Sequence, residues 1–141
     1  MISKRIILII VLLAALFLFS SCLLPNKTTH LPVDLENSFD ALDNTLSPED
    51  IDTIKNMPED NISSLHMGLG MWIRNNWGLW KKEGPLVKYF NDLGIFHPDD
   101  MSGIILTSYW RHLHNQPIEL EQQIRYYQQY WEDLKVDTIN R

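Results

Sequence analysis

"HPDDMSGIILTSYWRHLHN", residues 97–115, decides the fold. His97 stands where a helix cap belongs, Pro98 fits the first helical position, and Asp99 and Asp100 complement the positive end of a helix dipole. At 100° per residue, Met101, Ile104, Ile105 and Ser108 fall on one face and Leu106, Tyr109, Trp110 and Leu113 on another. A helix with two apolar faces has to be covered from two sides. The stretch therefore predicts an interior helix, and with it a bundle.

The flanking sequence supplies the neighbours. Downstream, Pro117 precedes a segment in which Leu120, Ile124, Tyr127, Trp131 and Leu134 form one stripe, with Glu121, Gln122, Arg125, Gln129 and Glu132 opposite. Tyr126 and Tyr130 sit on its shoulder. Upstream, "PLVKYFNDLG" reads as a helix opened by Pro85 and closed by Gly94. "SPEDIDTI" places Ser47 as N-cap and Pro48 at the first position of a short helix that ends near Met57, and Leu35, Phe39, Leu42 and Leu46 make a stripe before it. No stretch carries the alternating, β-branched pattern of a strand. The expected fold is all-α, a compact bundle of five or six helices over residues 34–141.

"LHMGLGMWIRNNWGLW", residues 65–80, is the most distinctive part. A helix from Pro58 or Asn61 to Asn76 would gather Ile62, Leu65, Leu69, Trp72, Ile73 and Asn76 in a band about 100° wide, with Met67, Met71 and Arg74 on the far side. Its plain reading is core, with Trp77 and Trp80 folding the next loop over the bundle and Arg74 needing a buried carboxylate or a route to water. Its functional reading is a groove in which Arg74, Asn75, Asn76, Trp77 and Trp80 hold a glycan or a partner segment. Aromatic residues at helical spacing favour the core reading.

The chain opens "MISKRIILIIVLLAALFLFSSC". Lys4 and Arg5 precede an apolar run of fourteen residues, Ile6 to Phe19, too short for the ~20 that cross a bilayer and suited to a signal peptide over residues 1–21. Cys22 is the only cysteine, which rules out an intramolecular disulfide. "FSSC" resembles the lipobox of bacterial lipoproteins, with Phe19 where leucine is commoner. That resemblance implies cleavage before Cys22 and a diacylglycerol, with a further palmitate-type chain, on the new N-terminus. Two or three acyl chains, at about 0.8 kcal/mol per buried methylene, anchor a protein stably. Residues 22–33, with Pro25 and Pro32, read as lipidated terminus and tether. The expected location is the bacterial cell envelope, at the outer membrane where there are two, since Leu23 rather than aspartate follows the cysteine. Loss of residues 1–21 removes two basic residues and no acid, so the charge falls from −6 to −8, which argues against a nucleic-acid partner.

Chemistry is weakly signalled. His112 and His114 point about 160° apart on a helix and cannot share an ion, and no H-E-x-x-H spacing occurs, so no metal or other cofactor is expected. Two acids at "HPDD" are what dipole complementarity alone would place there. No nucleophile motif appears. The segments "LHMGLGMWIRNNWGLW", "KYFNDLGIFHPDDMSGIIL" and "QPIELEQQIRYY" closely resemble a bacterial family catalogued only as a domain of unknown function, over nearly all of Leu35 to Tyr127. The resemblance implies one compact domain and carries no activity, cofactor or catalytic residues. The expectation is a lipid-anchored, non-catalytic binding or accessory module for a protein or glycan partner. An immunity or inhibitor lipoprotein is a narrower version, and an envelope enzyme using His97, Asp99, Asp100 and Arg74 is the competing class.

Overall fold

The computed structural model describes residues 30–81 and 83–139, with side chains through Lys135. The expected signal peptide, Cys22 and most of the expected tether lie outside the described residues. What is described is all-α: α1 (Leu35–Thr45), α2 (Pro48–Asn56), a 3-10 segment (Glu59–Met67), α3 (Leu69–Asn76), a short 3-10 turn (Leu79–Lys81), α4 (Pro85–Asp92), α5 (Pro98–Leu113) and α6 (Leu120–Ile139). Six α-helices and two 3-10 segments slightly exceed the expected count. No strand occurs among the described residues.

Local chemistry sets the boundaries. Asp34 caps α1 by accepting from Asn37 N–H, and Ser47 and Asp50 form a reciprocal capping box on α2. Pro85 and Pro98 open α4 and α5, and His97 Nδ1 accepts from Asp99 N–H at 3.3 Å. Gly94, at φ +78°, ends α4 in the left-handed region that L side chains avoid, and a Cβ there would lie 2.6 Å from Gln128 Nε2.

α5 is the spine, as its two apolar faces require. Met101, Ile104, Ile105 and Tyr109 are all but inaccessible, and α1, α3 and the long 3-10 segment pack around them. Tyr109 Oη donates to Asp43 at 2.6 Å, which together with burial pushes its phenol well above the usual range. At the C-terminal end of α5, Trp110 Nε1 donates to Met57 O at 2.7 Å, and Arg111 pairs with Glu59 and Glu119. One helix end thus ties together the start of the 3-10 segment and the entry to α6.

The segment before α3 departs from expectation. Instead of one α-helix from Pro58 or Asn61 to Asn76, residues Glu59–Met67 wind as 3-10 helix, and the backbone breaks at Gly68 before α3 begins. A 3-10 turn holds 3.0 residues rather than 3.6, so the phase read across the break slips. The inward face of α3 is Gly70, Ile73, Arg74 and, just past its end, Trp77, an i, i+3, i+4, i+7 set. Met67 and Met71 are exposed, and Trp72 lies at the surface rather than in the band.

α6 runs antiparallel along α5, with Gln123 Nε2 donating to Ser108 Oγ at 3.1 Å and Trp131 Nε1 to Asp100 Oδ2 at 2.7 Å. Between them Tyr127 lies on Gly103, where an added Cβ would run into the phenol oxygen and ring. Leu120, Ile124 and Tyr127 pack on the core, while Trp131 and Leu134 stay partly exposed as the helix runs past the start of α5. Gly103→Ala is expected to destabilise the chain by about 1–3 kcal/mol, the usual cost of overpacking. Urea unfolding measures the loss, and Tyr127 should become more accessible to solvent.

Candidate functional site

Consecutive residues on a helix diverge by about 100°, and that angle splits the two acids of "HPDD" between two environments. Asp99 turns toward α3. Arg74, 4% exposed, donates from Nη1 to Ser102 Oγ at 2.8 Å and from Nη2 to His66 O at 3.2 Å. Its Nε lies 2.9 Å from Asp99 Oδ1 but off hydrogen-bonding angle, so that contact is an ion pair without a third hydrogen bond. Ser102 Oγ in turn donates to Asp99 O, and His66 and His97 each place a ring nitrogen 3.5 Å from the Asp99 carboxylate. Of the two solutions open to a buried Arg74, a carboxylate or a route to water, the structure uses a carboxylate, and it is Asp99. Gly70 makes room, since a Cβ there would stand 3.1 Å from Arg74 Nη1.

Asp100 turns the other way, toward α6. The residue is 7% exposed; its carboxylate accepts the Trp131 indole N–H, and it lines an open cleft of about 620 Å³ between the α4–α5 turn and α6. Ile95 and Asp100 form the buried inner wall; Tyr127, Trp131 and His97 form the sides; Phe96, Gln128, Glu132 and Lys135 surround the mouth. The His97 ring tilts over Trp131 with centroids 5.4 Å apart and meets the edge of Trp80 at 6.2 Å. An aromatic row, Trp80–His97–Trp131, thus leads into the cleft. Gln128 Nε2 donates to Leu93 O at 3.3 Å, holding α6 to the α4–α5 turn.

Burial pushes the Asp100 carboxyl above the ordinary value of 3.8, and the nearby Asp99 charge adds to the rise. The Trp131 hydrogen bond and His97 oppose it. The Tyr127 phenol, buried and facing Asp100, is pushed up to about 12 and stays protonated at any physiological pH.

Of the residues singled out by sequence, Arg74 and Trp77 are buried, while Asn75, Asn76 and Trp80 are exposed. Asn76 Nδ2 donates to Trp72 O, and only Trp80 reaches the cleft, through His97. Arg74, Asp99 and His97 meet at one place, with Asp100 beside them but facing away. Tyr127 and Trp131 were not anticipated as site residues. Tyr127 and Trp131 read only as core stripe, and nothing in a single sequence pairs them with Asp100. His112 stacks on Phe39 at 4.8 Å, and His114 Nδ1 lies 2.8 Å from Trp110 O. Among the described residues no group of three His, Cys, Asp or Glu is arranged to hold a metal ion, and no helix is long and apolar enough to cross a membrane.

Residues 31–113, more than half of the chain, match the family described as a domain of unknown function (DUF6794). The chain belongs to that family. The DUF6794 match stops at Leu113, short of the "QPIELEQQIRYY" segment to which the sequence resemblance extended. One wall of the cleft, Gly94 to Asp100, is therefore DUF6794 sequence, and the other, Tyr127 to Lys135 on α6, follows it. No curated protein and no solved structure matches the chain.

Arg74→Met is expected to cost about 3 kcal/mol, the low end for breaking a buried pair, because Asp99 keeps some access to water. Arg74→Lys should recover little, since one ammonium cannot reach Ser102, His66 O and Asp99 together. Chemical denaturation of both variants checks this.

Asp100 also makes stability depend on pH. A carboxyl whose folded value exceeds its unfolded one binds its proton more tightly in the folded chain, so its charged form costs stability above that window and the cost fades as pH falls through it. Asp100→Asn should therefore be more stable than the parent at pH 7, with the gain vanishing toward pH 3, in thermal unfolding across that range.

Proposed function

We propose that this chain is a lipid-anchored binding module of the bacterial cell envelope, held at the membrane by acylated Cys22, with the cleft between the α4–α5 turn and α6 as its ligand site. The observation that carries the reading is the cleft itself. At about 620 Å³ it lies within the ~300–1,000 Å³ typical of small-molecule sites, with aromatic sides and a few polar groups, Asp100 deepest. The anchor rests on the run from Ile6 to Phe19 and on "FSSC".

Binding is favoured over reaction because three of the four groups that the enzyme reading needs, Arg74, Asp99 and His97, are already engaged. Asp99 is paired with Arg74, and His97 Nδ1 is occupied as the helix cap. A proton acceptor fixed in this way is poorly placed to exchange protons with a substrate. An immunity-type role against a protein partner draws support from Tyr126 and Tyr130, both well exposed on α6, since tyrosine is enriched at interfaces.

Two arms of one experiment test the proposal. Cells grown with labelled palmitate should label the wild-type chain and not Cys22→Ser, which should leave the membrane fraction; a variant that stays there contradicts the anchor. A fragment library screened by saturation-transfer NMR against the intact chain in non-ionic detergent should give hits that compete with one another and disappear in Trp131→Ala. Hits indifferent to that substitution would place the ligand site elsewhere.

A further inference from the structure

Asp100 occupies an unusual position for a carboxylate. It is more than nine-tenths buried, and among the described residues no Lys, Arg or His nitrogen comes within ion-pairing distance, whereas Asp99 next to it has Arg74. Buried carboxylates are normally paired, because an uncompensated charge away from water is costly. Its side chain accepts from Trp131 Nε1, a neutral donor. The Asp100 carboxylate faces the open cleft, so the missing countercharge has a place to sit.

The walls of that place are suited to a cation. Trp131 and Tyr127 bring aromatic surface to it, His97 extends the row, and Glu132 adds a second carboxylate at the mouth. Aromatic faces attract cations through the ring quadrupole, and most strongly when the cation is desolvated. A neutral sugar would leave the Asp100 charge uncompensated, and an anion would meet Asp100 and Glu132. We propose that the cleft selects a ligand bearing an organic ammonium group, which lies against Trp131 and pairs with Asp100. This rests on the cleft being the ligand site, and it names the chemistry that site recognises.

The ionisable groups around Asp100 bear on the strength of the effect. His97 and Asp99 face it from the start of α5, and Tyr127, Glu132 and Lys135 from α6. Tyr127 stays neutral in the working range. Lys135 is the one cation of α6 at the mouth, and it competes with the ligand for the negative field. Acidification that protonates Asp100 weakens binding, because the ammonium loses its partner.

The intact chain in non-ionic detergent is titrated with tetramethylammonium and n-butylammonium, and separately with neutral 2,2-dimethylpropan-1-ol and maltose. The indole N–H resonance of Trp131, assigned through Trp131→Phe, is the readout. The ammonium ions are expected to shift it saturably, with the neutral compounds about tenfold weaker or more. Asp100→Asn keeps an acceptor for the indole N–H, and its Trp131 resonance in the free state controls for folding; it should bind the ammonium ions about tenfold more weakly. Lys135→Gln should bind them a few-fold more tightly, which a purely structural role for Asp100 would not produce. If a neutral compound binds as well as its charged counterpart, or Asp100→Asn binds ammonium unchanged, the proposal is overturned while the cleft remains a ligand site. If no probe moves the Trp131 resonance, both readings fall.

Discussion

The fold depends on a buried guanidinium. Arg74 projects from α3 into the space between the 3-10 segment and the first turn of α5, where it donates to Ser102 and the His66 carbonyl and pairs its charge with Asp99. Each partner belongs to a different stretch of chain or a different turn. A planar fork with fixed donor directions suits such a junction, because it sets both distance and angle between the parts it joins. The buried charge makes the arrangement all-or-none, since without Asp99 the guanidinium would sit inside the protein uncompensated. The 3-10 segment, whose hydrogen bonding is inherently poorer than an α-helix's, is held partly from outside by this contact and by Arg111 and Trp110 at its other end.

That junction positions the start of α5, and the start of α5 positions the cleft. Pro98 and the His97 cap fix where the helix begins, and the turn between residues 99 and 100 then points one carboxylate into the structure and the next toward α6. The two neighbours have opposite roles for a geometric reason. Asp99 is neutralised by a permanent partner and contributes to rigidity, whereas Asp100 lies beside aromatic rings without a cationic partner, and burial makes its charged form costly. Strain of that kind, kept beside an open cavity, is where function is generally found in a small domain.

Much of the architecture was legible in the sequence. Pro48 and Pro98 with their caps, and Pro85 by itself, marked three helix starts, Gly94 marked a stop, and the double apolar face of residues 98–113 required a central helix. That a buried Arg74 needs a carboxylate or a route to water followed from burial cost alone. The 3-10 winding of Glu59–Met67 was not legible, because its apolar residues fit a 3.6-residue period well enough to conceal a shorter one, and only Gly68 hinted at the break. The cleft was not legible either. It forms where residues some thirty positions apart meet, and Tyr127 and Trp131 carry the same apolar signal whether they face a core or a cavity.

The seat of α6 on Gly103 separates two tasks along the chain. The helices up to Leu113 bury most of the core and contain the Arg74 junction, whereas α6 leans on them through a few contacts and supplies one side of the cleft. Exchanging side chains at positions 132 and 135 alters the outer wall without touching the interior. A scaffold divided in this way lets the lining of the cleft be changed while the core is left alone, and redesign of the cleft would begin on that last helix.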